Sequence, residues 1–600
     1  MLMLISHLTG SGQNRRVGQR QAALLGGLLM SLGLANAHAD DAVSEATSGL
    51  DPVHQINAAM RTTWSEWEIT PSRLASEGEW CRRVHLDLIG RIASVNELRS
   101  FVNDDDPYKK ANLVDKLLYD EDYTEEYARN WMTVWTNILI GRSGGTENNS
   151  LTNREGMQKF LRDSFARNKP YDRLVYDLVT ADGSNSPGLE NFNGAVNFLA
   201  TKVNDEDGTL ATAATSRIFL GLQVQCTQCH NHPFNEWKQQ KFWEMNAFFR
   251  QTRMLRRFVP GTRDLASAEL VNEDFALAGS DAAEAEIYFE QRNGLLNVAY
   301  PVFVDGTALS DLYGEERGNS GYVDEMVRRT ELGKLILKND GETLQEASYL
   351  ERMIVNRTWA HFMGYGFTKP VDDMGPHNAP THPELVEYLG IEFRKASYDL
   401  KQLMTWIVLS EPYSLSSRVN KTNKTIDDPQ LGESPKFSHF YLRQMDAEQL
   451  YESLIVATRA EKTRGSYEDQ ERAKTRWMQQ FVTAFGNDEG EESTTFNGTI
   501  PQALMMMNGD LVKRATSGEK GSFLYKIAWS KMKPVEQINY LFEAGLGRKP
   551  TKNEIRLGNE LIKARMSEQK EKRDVNTARI AALQDVWWVV LNSNEFIINH

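Results

Sequence analysis

The sequence predicts a mainly α fold, with two helical domains and a small β-rich insert between them. Three observations carry this. Apolar and aromatic residues recur at helical spacing from about Pro52 to Arg250 and again from about Glu325 to His600. Helix start and stop signals punctuate both stretches. Only the middle, roughly Gln251 to Asp324, carries alternating and β-branched residues. At 600 residues the chain exceeds one ordinary core, so several units are expected. Their boundaries read as 1–39 for a signal peptide, 52–250 for the first helical domain, 251–324 for the insert and 325–600 for the second helical domain.

The N-terminus is read first. Arg15, Arg16 and Arg20 precede the apolar run "AALLGGLLMSLGLA", and "ANAHA" then supplies small residues. This is the basic, apolar, small-residue order of a secretory signal, and the run is too short to span a bilayer comfortably. Cleavage is expected after Ala39. No cysteine sits there to carry a lipid anchor, and the flanks in "QNRRVGQ" match a twin-arginine signal poorly. No later segment reads as a transmembrane span. The mature chain is therefore expected in the periplasm or otherwise exported, in an oxidising compartment.

In "WCRRVHLDLIGRIASVNELRSFV", Trp80, Val84, Leu86 and Leu88 lead into Gly90, which suits a helix C-cap. Ser94 to Glu97 then reads as a capping box opening the next helix. The stretches "YTEEYARNWMTVWTNILIG" and "REGMQKFLRDSFARNKPYDRLVYDLVTA" continue as amphipathic helices, whose Trp131 and Trp135 are assigned to packing. Within the insert, "AEIYFEQRNGLLNVAYPVFVDG" places a hairpin turn at Asn293-Gly294. The polar "GEERGNSGY" returns the chain to helix.

In the second helical domain, Thr381 to Glu384 ("THPE") reads as a capping box. Asp446 with Gln449 starts "AEQLYESLIVATRA". "GRKPTKNE" (Gly547 to Glu554) echoes "GRIASVNE" (Gly90 to Glu97): a glycine stop, then a serine or threonine cap. Capping physics alone can write such an echo twice, so no solenoid repeat is inferred. "KTNKTIDDPQLGESPK" and the acidic "FGNDEGEESTTFNG" read as surface loops.

Composition limits the partners. The formal charge is -14, with 40% hydrophobic residues, which disfavours nucleic acid and anionic membranes. A basic docking protein or a neutral substrate fits better.

The chemistry concentrates in "FLGLQVQCTQCHNHPFNEWKQQKFW", where Cys226, Cys229 and His230 lie together in a chain of only three cysteines. Four explanations compete. A c-type haem uses these parts: two thiols one helical turn apart bond the porphyrin edge, and the adjoining imidazole becomes the proximal iron ligand. That attachment is made outside the cytoplasm, where the signal peptide would send the chain. A Cys226–Cys229 disulfide suits the same compartment but leaves His230 unexplained. Zinc on Cys226, Cys229 and His232 lacks an evident second ligand pair from a distant segment. Coincidence is the fourth, and cysteine scarcity weighs against it. Haem is favoured, with His232 a secondary metal candidate. Cys81 is read as a buried, inert thiol. For the opposite face of the iron, Met245 is too near in sequence to cross over easily. His361, His377, His382, Met374 and Met505 to Met507 are the distant candidates, and a face open to a small molecule is the alternative.

Three segments, "WCRRVHLDLIGRIASVNEL", "NGAVNFL" and "ATSRIFLGLQVQCTQCHNHPFNEWKQQKFWEMNAFF", resemble the exported planctomycete-type cytochrome c family. A further three, "MIVNRTWAHFMGYGFTKPVDDMGPHNAPTHPELVEYLG", "YLRQMDAEQLYESLIVAT" and "LNSNEFIINH", resemble the companion domain of unknown function fused to it. The resemblance spans nearly the whole mature chain. It implies covalent haem c at Cys226, Cys229 and His230, and by association a place in the breakdown of complex organic matter such as polysaccharides.

The companion half has its own polar set. Arg357 and His361 share a helix face. Asp372 and Asp373 sit in "KPVDDMG", and His382 sits at the start of the "THPE" helix, where the dipole favours a neutral imidazole. Such groups could bind a metal or place an acid and a base; an ordinary helix clamp is the competing explanation. No nucleophile elbow, Walker loop or dinucleotide fingerprint is present.

The expected function is therefore electron transfer, or a haem-dependent oxidoreductase with its substrate pocket, for a small molecule or carbohydrate, in the companion half. The redox partner would be a protein, and a basic one suits the acidic surface. The alternatives are a metal-dependent hydrolase or lyase using Asp372, Asp373 and His382, or a non-catalytic surface binding protein.

Overall fold

The computed structural model describes residues 51–203, 208–233, 237–272, 287–309, 326–338, 346–459, 467–485, 500–568 and 575–600. Residues 1–39, where a signal peptide is expected, the "GEERGNSGY" linker and residues 486–498 of the acidic loop lie outside them. The fold is mainly α, as expected, with a few short strands.

Local signals explain the helix boundaries. The helix Glu77–Ile89 starts at Ser76, whose side chain accepts from Glu79 N, and stops at Gly90 in the left-handed region (φ 75°). The Ser94–Glu97 capping box forms in both directions. So does the Asp446–Gln449 box. At Thr381–Glu384 the structure differs. The helix is Pro383–Lys395, its N-cap is His382, and no side chain caps it. Proline at the first helical position fixes the start one residue later, and the Thr381 hydroxyl is engaged with His382 Nδ1 at 2.9 Å instead.

The echo between Gly90 and Gly547 is a shared corner. After Gly90, Arg91 clamps Glu97 and Glu126 at 2.9 and 2.8 Å. After Gly547 (φ 68°), Arg548 binds Glu554 at 3.0 Å and Glu595 at 2.7 Å, and Thr551 caps Glu554 N. The two corners belong to helices that touch. A Cβ on Gly78 would lie 2.1 Å from Gly547 O, Arg82 Nη2 reaches Phe596 O at 2.7 Å, and Arg99 pairs with Glu543 at 2.6 Å.

The β elements are small. Thr252–Phe258 pairs antiparallel with Leu265–Asn272, whose other edge takes Gly183–Ser184 from the first helical stretch. The expected hairpin forms between Ile287–Glu290 and Leu296–Ala299, with Gly294 at φ 83°. Its connection runs over residues 291–295, longer than a two-residue turn.

Packing does not follow chain order. One core runs from Val53 to Leu270 and continues through Phe303 to Tyr441, so the first helical stretch packs directly on the helix Tyr349–Met363. Trp131 meets Phe362 with ring centroids 6.1 Å apart, and Trp135 meets Tyr171 at 5.6 Å, which places both tryptophans in packing roles. A second core spans Met445 to Ile597 and takes in Leu86, Ile92 and Val95 from the N-terminal helices. At the junction, buried Asp87 accepts from Arg443 Nη2, the Tyr413 hydroxyl and Asn599 Nδ2 at 2.8, 2.7 and 2.8 Å. The C-terminal pair Ile598–Asn599 adds antiparallel to Arg443–Gln444.

"KTNKTIDDPQLGESPK" is more than a surface loop. Asp427 within it is buried and accepts from the Ser438 hydroxyl at 2.6 Å, from Ser438 N and Lys436 N at 2.8 Å, and from Tyr441. Burial alone would raise its pKa; the adjoining His439 imidazole, 3.5 Å away, together with these donors instead holds it below the usual range. Cys81 is fully buried, and desolvation pushes its thiol up, which suits an inert residue.

Candidate functional site

The site begins where the helix Thr209–Leu220 ends at Gly221, φ 67°. A Cβ there would sit 3.0 Å from Met353 Sδ and 3.3 Å from Met374 Cγ, and Met374 N donates to Gly221 O at 2.7 Å. Glycine is needed for both reasons: the backbone angle and the close approach of the companion half.

The chain then enters a 3-10 turn, Gln225–Gln228, with Cys229 following. Residues i and i+3 eclipse in such a turn, so Cys226 and Cys229 share one side. Both thiols are exposed and free rather than joined in a disulfide. The turn is held from behind. Buried Thr227 donates its hydroxyl to Val224 O at 2.6 Å. Gln228 O accepts from Gln239 Nε2 and Trp243 Nε1, both at 3.1 Å, and Gln239 also donates to Glu290 O of the hairpin at 3.0 Å. Asn231 Oδ1 takes Gln239 N at 3.0 Å. The insert thus buttresses the cysteine turn, a role the sequence did not announce.

His230 is exposed, and its Nδ1 lies 2.7 Å from Asn231 O. A carbonyl only accepts, so Nδ1 is the donor in this contact, and in the neutral ring Nε2 is then the nitrogen with the lone pair. That is the tautomer a metal-ligating imidazole uses when its other nitrogen is held by the backbone.

The loop 371–378 of the companion half faces this turn. Asp372 accepts from Arg217 Nη1 at 3.1 Å and from Gln223 Nε2 at 2.7 Å. Asp373, buried, takes His377 Nε2 at 3.0 Å. The His377 ring lies 4.9 Å from that of His232, centroid to centroid. Burial, then the neighbouring His377, pushes the His232 pKa down, and Asp373 opposes this. Burial likewise raises the Cys226 thiol, with the Asp373 charge adding to it. The loop is anchored by fully buried Asn356, which donates to Thr368 Oγ1 and Val371 O at 2.8 Å and accepts from Phe367 N at 2.6 Å.

The predicted residues therefore separate. Asp372 and Asp373 join the cysteine turn. His382 does not share their contacts: its ring is held by Thr63 Oγ1 at 2.9 Å and packs beside Phe367 and Phe437, and burial lowers its pKa to about 4. His361 packs 4.9 Å from Trp131, accepts Arg443 at its carbonyl, and is likewise pushed by burial to about 4. Arg357 is half-buried on the same helix, its charge acting on Tyr171. Of the distant candidates for the far side of an iron, Met374 and His377 lie on the facing loop. Of the run Met505 to Met507, Met506 is buried in the second core and Met507 is exposed, and the sequence-near Met245 is buried in the first core. Among the described residues, no group of three or more His, Cys, Asp and Glu side chains is placed to hold a metal ion. Neither zinc at the cysteines nor a metal on Asp372, Asp373 and His382 gains support from the geometry. Arg217, Gln223 and Asn356 were missed in the sequence because their partners are distant in the chain; the "DDMGPH" spacing was the available signal for the Asp373–His377 pair.

Residues 55–254 match PSCyt2, described as a protein of unknown function (DUF1549), and residues 328–562 match PSD1, described as a protein of unknown function (DUF1553). The first match contains the cysteine turn and the second contains the loop that faces it. The planctomycete-type resemblance holds at the level of these two domains, whose descriptions assign neither haem nor an activity. No curated protein matches the chain, and no solved structure does.

Proposed function

We propose that the chain is an exported c-type haem protein that transfers electrons, with covalent attachment at Cys226 and Cys229 and His230 as the proximal iron ligand. One observation carries this: two free, exposed thiols, one within a 3-10 turn and one at the residue that ends it, followed by an exposed imidazole whose Nδ1 is held by a carbonyl. A disulfide would use the thiols but not the tautomer. Each thiol would add across a vinyl group, sulfur to one carbon and hydrogen to the other, so attachment needs no oxidant. Haem, when bound, supplies one-electron chemistry.

The chain's own residues do the rest. Thr227, Gln239 and Trp243 fix the turn, so the thiols are presented without reorganisation. Asn231 sets the His230 tautomer. Asp373, with His377 hydrogen-bonded to it, places a carboxylate beside the turn, where a negative charge stabilises the more positive oxidation state. A protein redox partner, basic enough to meet the acidic chain, completes the proposal; the link to polysaccharide breakdown rests on the resemblance alone.

The test is a pyridine haemochrome spectrum with intact mass, on protein co-expressed with haem-attachment machinery. A c-type band and one added haem mass support the proposal. Colourless protein lighter by two hydrogens makes Cys226 and Cys229 a disulfide and ends it.

A further inference from the structure

The second core carries a cavity of about 810 Å³ far from the cysteine turn in sequence. It opens between the ends of the helices Ala447–Thr458, Tyr467–Phe485 and Asp510–Ala515, the short helix Phe523–Ala528, and Pro534–Leu546. Among the described residues, its wall carries Arg459, Arg476, Lys513, Arg514, Lys520 and Lys526, against Asp510 and Glu519. Among the described residues, none of these six cations makes an ion pair. This contrasts with Arg91, Arg443 and Arg548, each clamped to a carboxylate.

In a chain of net charge -14, such a concentration of unpaired positive charge is a local reversal of sign. Like charges around one concavity repel, and low-dielectric walls focus their field on whatever enters. A ligand with several negative groups relieves that repulsion. The cations come from four different helices and their ends, around a cavity of about 810 Å³, which is more space than a compact single anion fills. The ligand must spread its charges over its length. Apolar and aromatic groups line the same space: Phe523 and Tyr540, half-buried with centroids 6.2 Å apart, together with Ile527 and Met532. Ring faces suit the flat apolar sides of sugars. The volume falls within the range for an organic ligand of a few rings. A nucleotide is the competing ligand, because the loop "SGEKGS" (Ser517–Ser522) lines the wall; its spacing departs from the phosphate-cradling glycine motifs, which disfavours that alternative.

We infer that this cavity binds an oligosaccharide bearing several carboxylate or sulfate groups. The inference does not depend on haem. It stands or falls separately, since the cavity and the cysteine turn share no residues.

The test is calorimetric titration of the full mature chain with a trigalacturonate, a sulfated tetrasaccharide, and neutral oligosaccharides of matching length, with ATP as a fourth titrant. Binding of at least one acidic sugar is expected, with no binding by its neutral counterpart. The affinity should fall about tenfold between low and moderate salt, because the contacts are exposed charges. The two acidic probes tell carboxylate from sulfate. Arg514→Ala and Lys526→Ala should each weaken binding several-fold; Arg556→Ala, outside the cavity, is the control, and all three should keep the parent melting temperature. No binding by either acidic sugar, equal binding of the neutral ones, tighter binding of ATP, or loss of binding in the control alone would overturn the inference.

Discussion

The imidazoles of His232 and His377 lie 4.9 Å apart, centroid to centroid, and belong to the two different matched domains. His232 follows the cysteine turn by two residues, and His377 is steadied by Asp373 at 3.0 Å. The cysteine turn is thus one of the places where the two halves meet. In haem-loaded protein, Asp373→Asn should raise the midpoint potential by roughly tens of millivolts, since it removes a negative charge that favours the oxidised form. His377→Ala should shift the visible bands, whereas His361→Ala, packed on Trp131, should not. Redox titration and spectra read both effects. Unchanged spectra for the Asp373 and His377 variants, with an unchanged potential, would remove the loop from the haem's surroundings.

Asp87 is the second place where distant segments converge. Its carboxylate takes Arg443, Tyr413 and Asn599, all buried. Asp87→Ala leaves a buried guanidinium uncompensated and should cost about 3–5 kcal/mol. Asp87→Leu combined with Arg443→Met should recover much of that, because an apolar pair removes both desolvation penalties. Urea midpoints of the two variants against the parent measure the difference. A double variant no more stable than the single one would show that the hydrogen bonds to Tyr413 and Asn599 matter more than the ion pair.

What could be read from the chain divides along one physical line. Signals closed within one turn of helix were legible: Gly90 as a stop, Ser94–Glu97 and Asp446–Gln449 as boxes, and Asn293-Gly294 as a hairpin. The Thr381 box failed inside that same range, because proline fixed the start and the hydroxyl found a better partner in His382. Charge partners from far along the chain were not legible. The sequence placed Asp372, Asp373 and His382 in one set, yet the first two turn to Arg217, Gln223 and His377, while His382 faces Thr63. The triplet at Cys226 stands out in the sequence by its spacing, but the hydrogen bond that holds His230 depends on a backbone carbonyl whose direction only the fold supplies.

Gly78 tests the contact between the two glycine–arginine corners. A Cβ there would come within 2.1 Å of Gly547 O, a backbone atom that cannot rotate aside. Gly78→Ala should therefore destabilise the chain by about 1–3 kcal/mol through overpacking, against the modest gain alanine brings to an exposed helix site. The readout is the melting temperature. A rise instead would mean that the helices Glu77–Ile89 and Pro534–Leu546 separate freely at this point.

Acid should unfold the chain in two stages, and the sign follows from which groups are shifted. His85, His361 and His382 are each pushed by burial to about 4 in the fold. Unfolded, they take up protons near pH 6.5, so the unfolded state binds more protons between about pH 6.5 and 4 and stability falls across that window. Each contributes up to about 3 kcal/mol of that loss. Below it, Glu554, held down to about 2 by Arg548, adds a further loss as pH drops from the usual carboxylate range toward 2. His382→Gln can keep a polar partner for Thr63 and removes one titrating group, so it should flatten the upper stage and leave the lower one intact. Urea midpoints measured at about pH 7, 5.5 and 4.5 separate the stages. If the parent and His382→Gln fall in parallel across the upper window, the imidazole protonates in the folded state after all, and its buried contact with Thr63 opens before the chain unfolds.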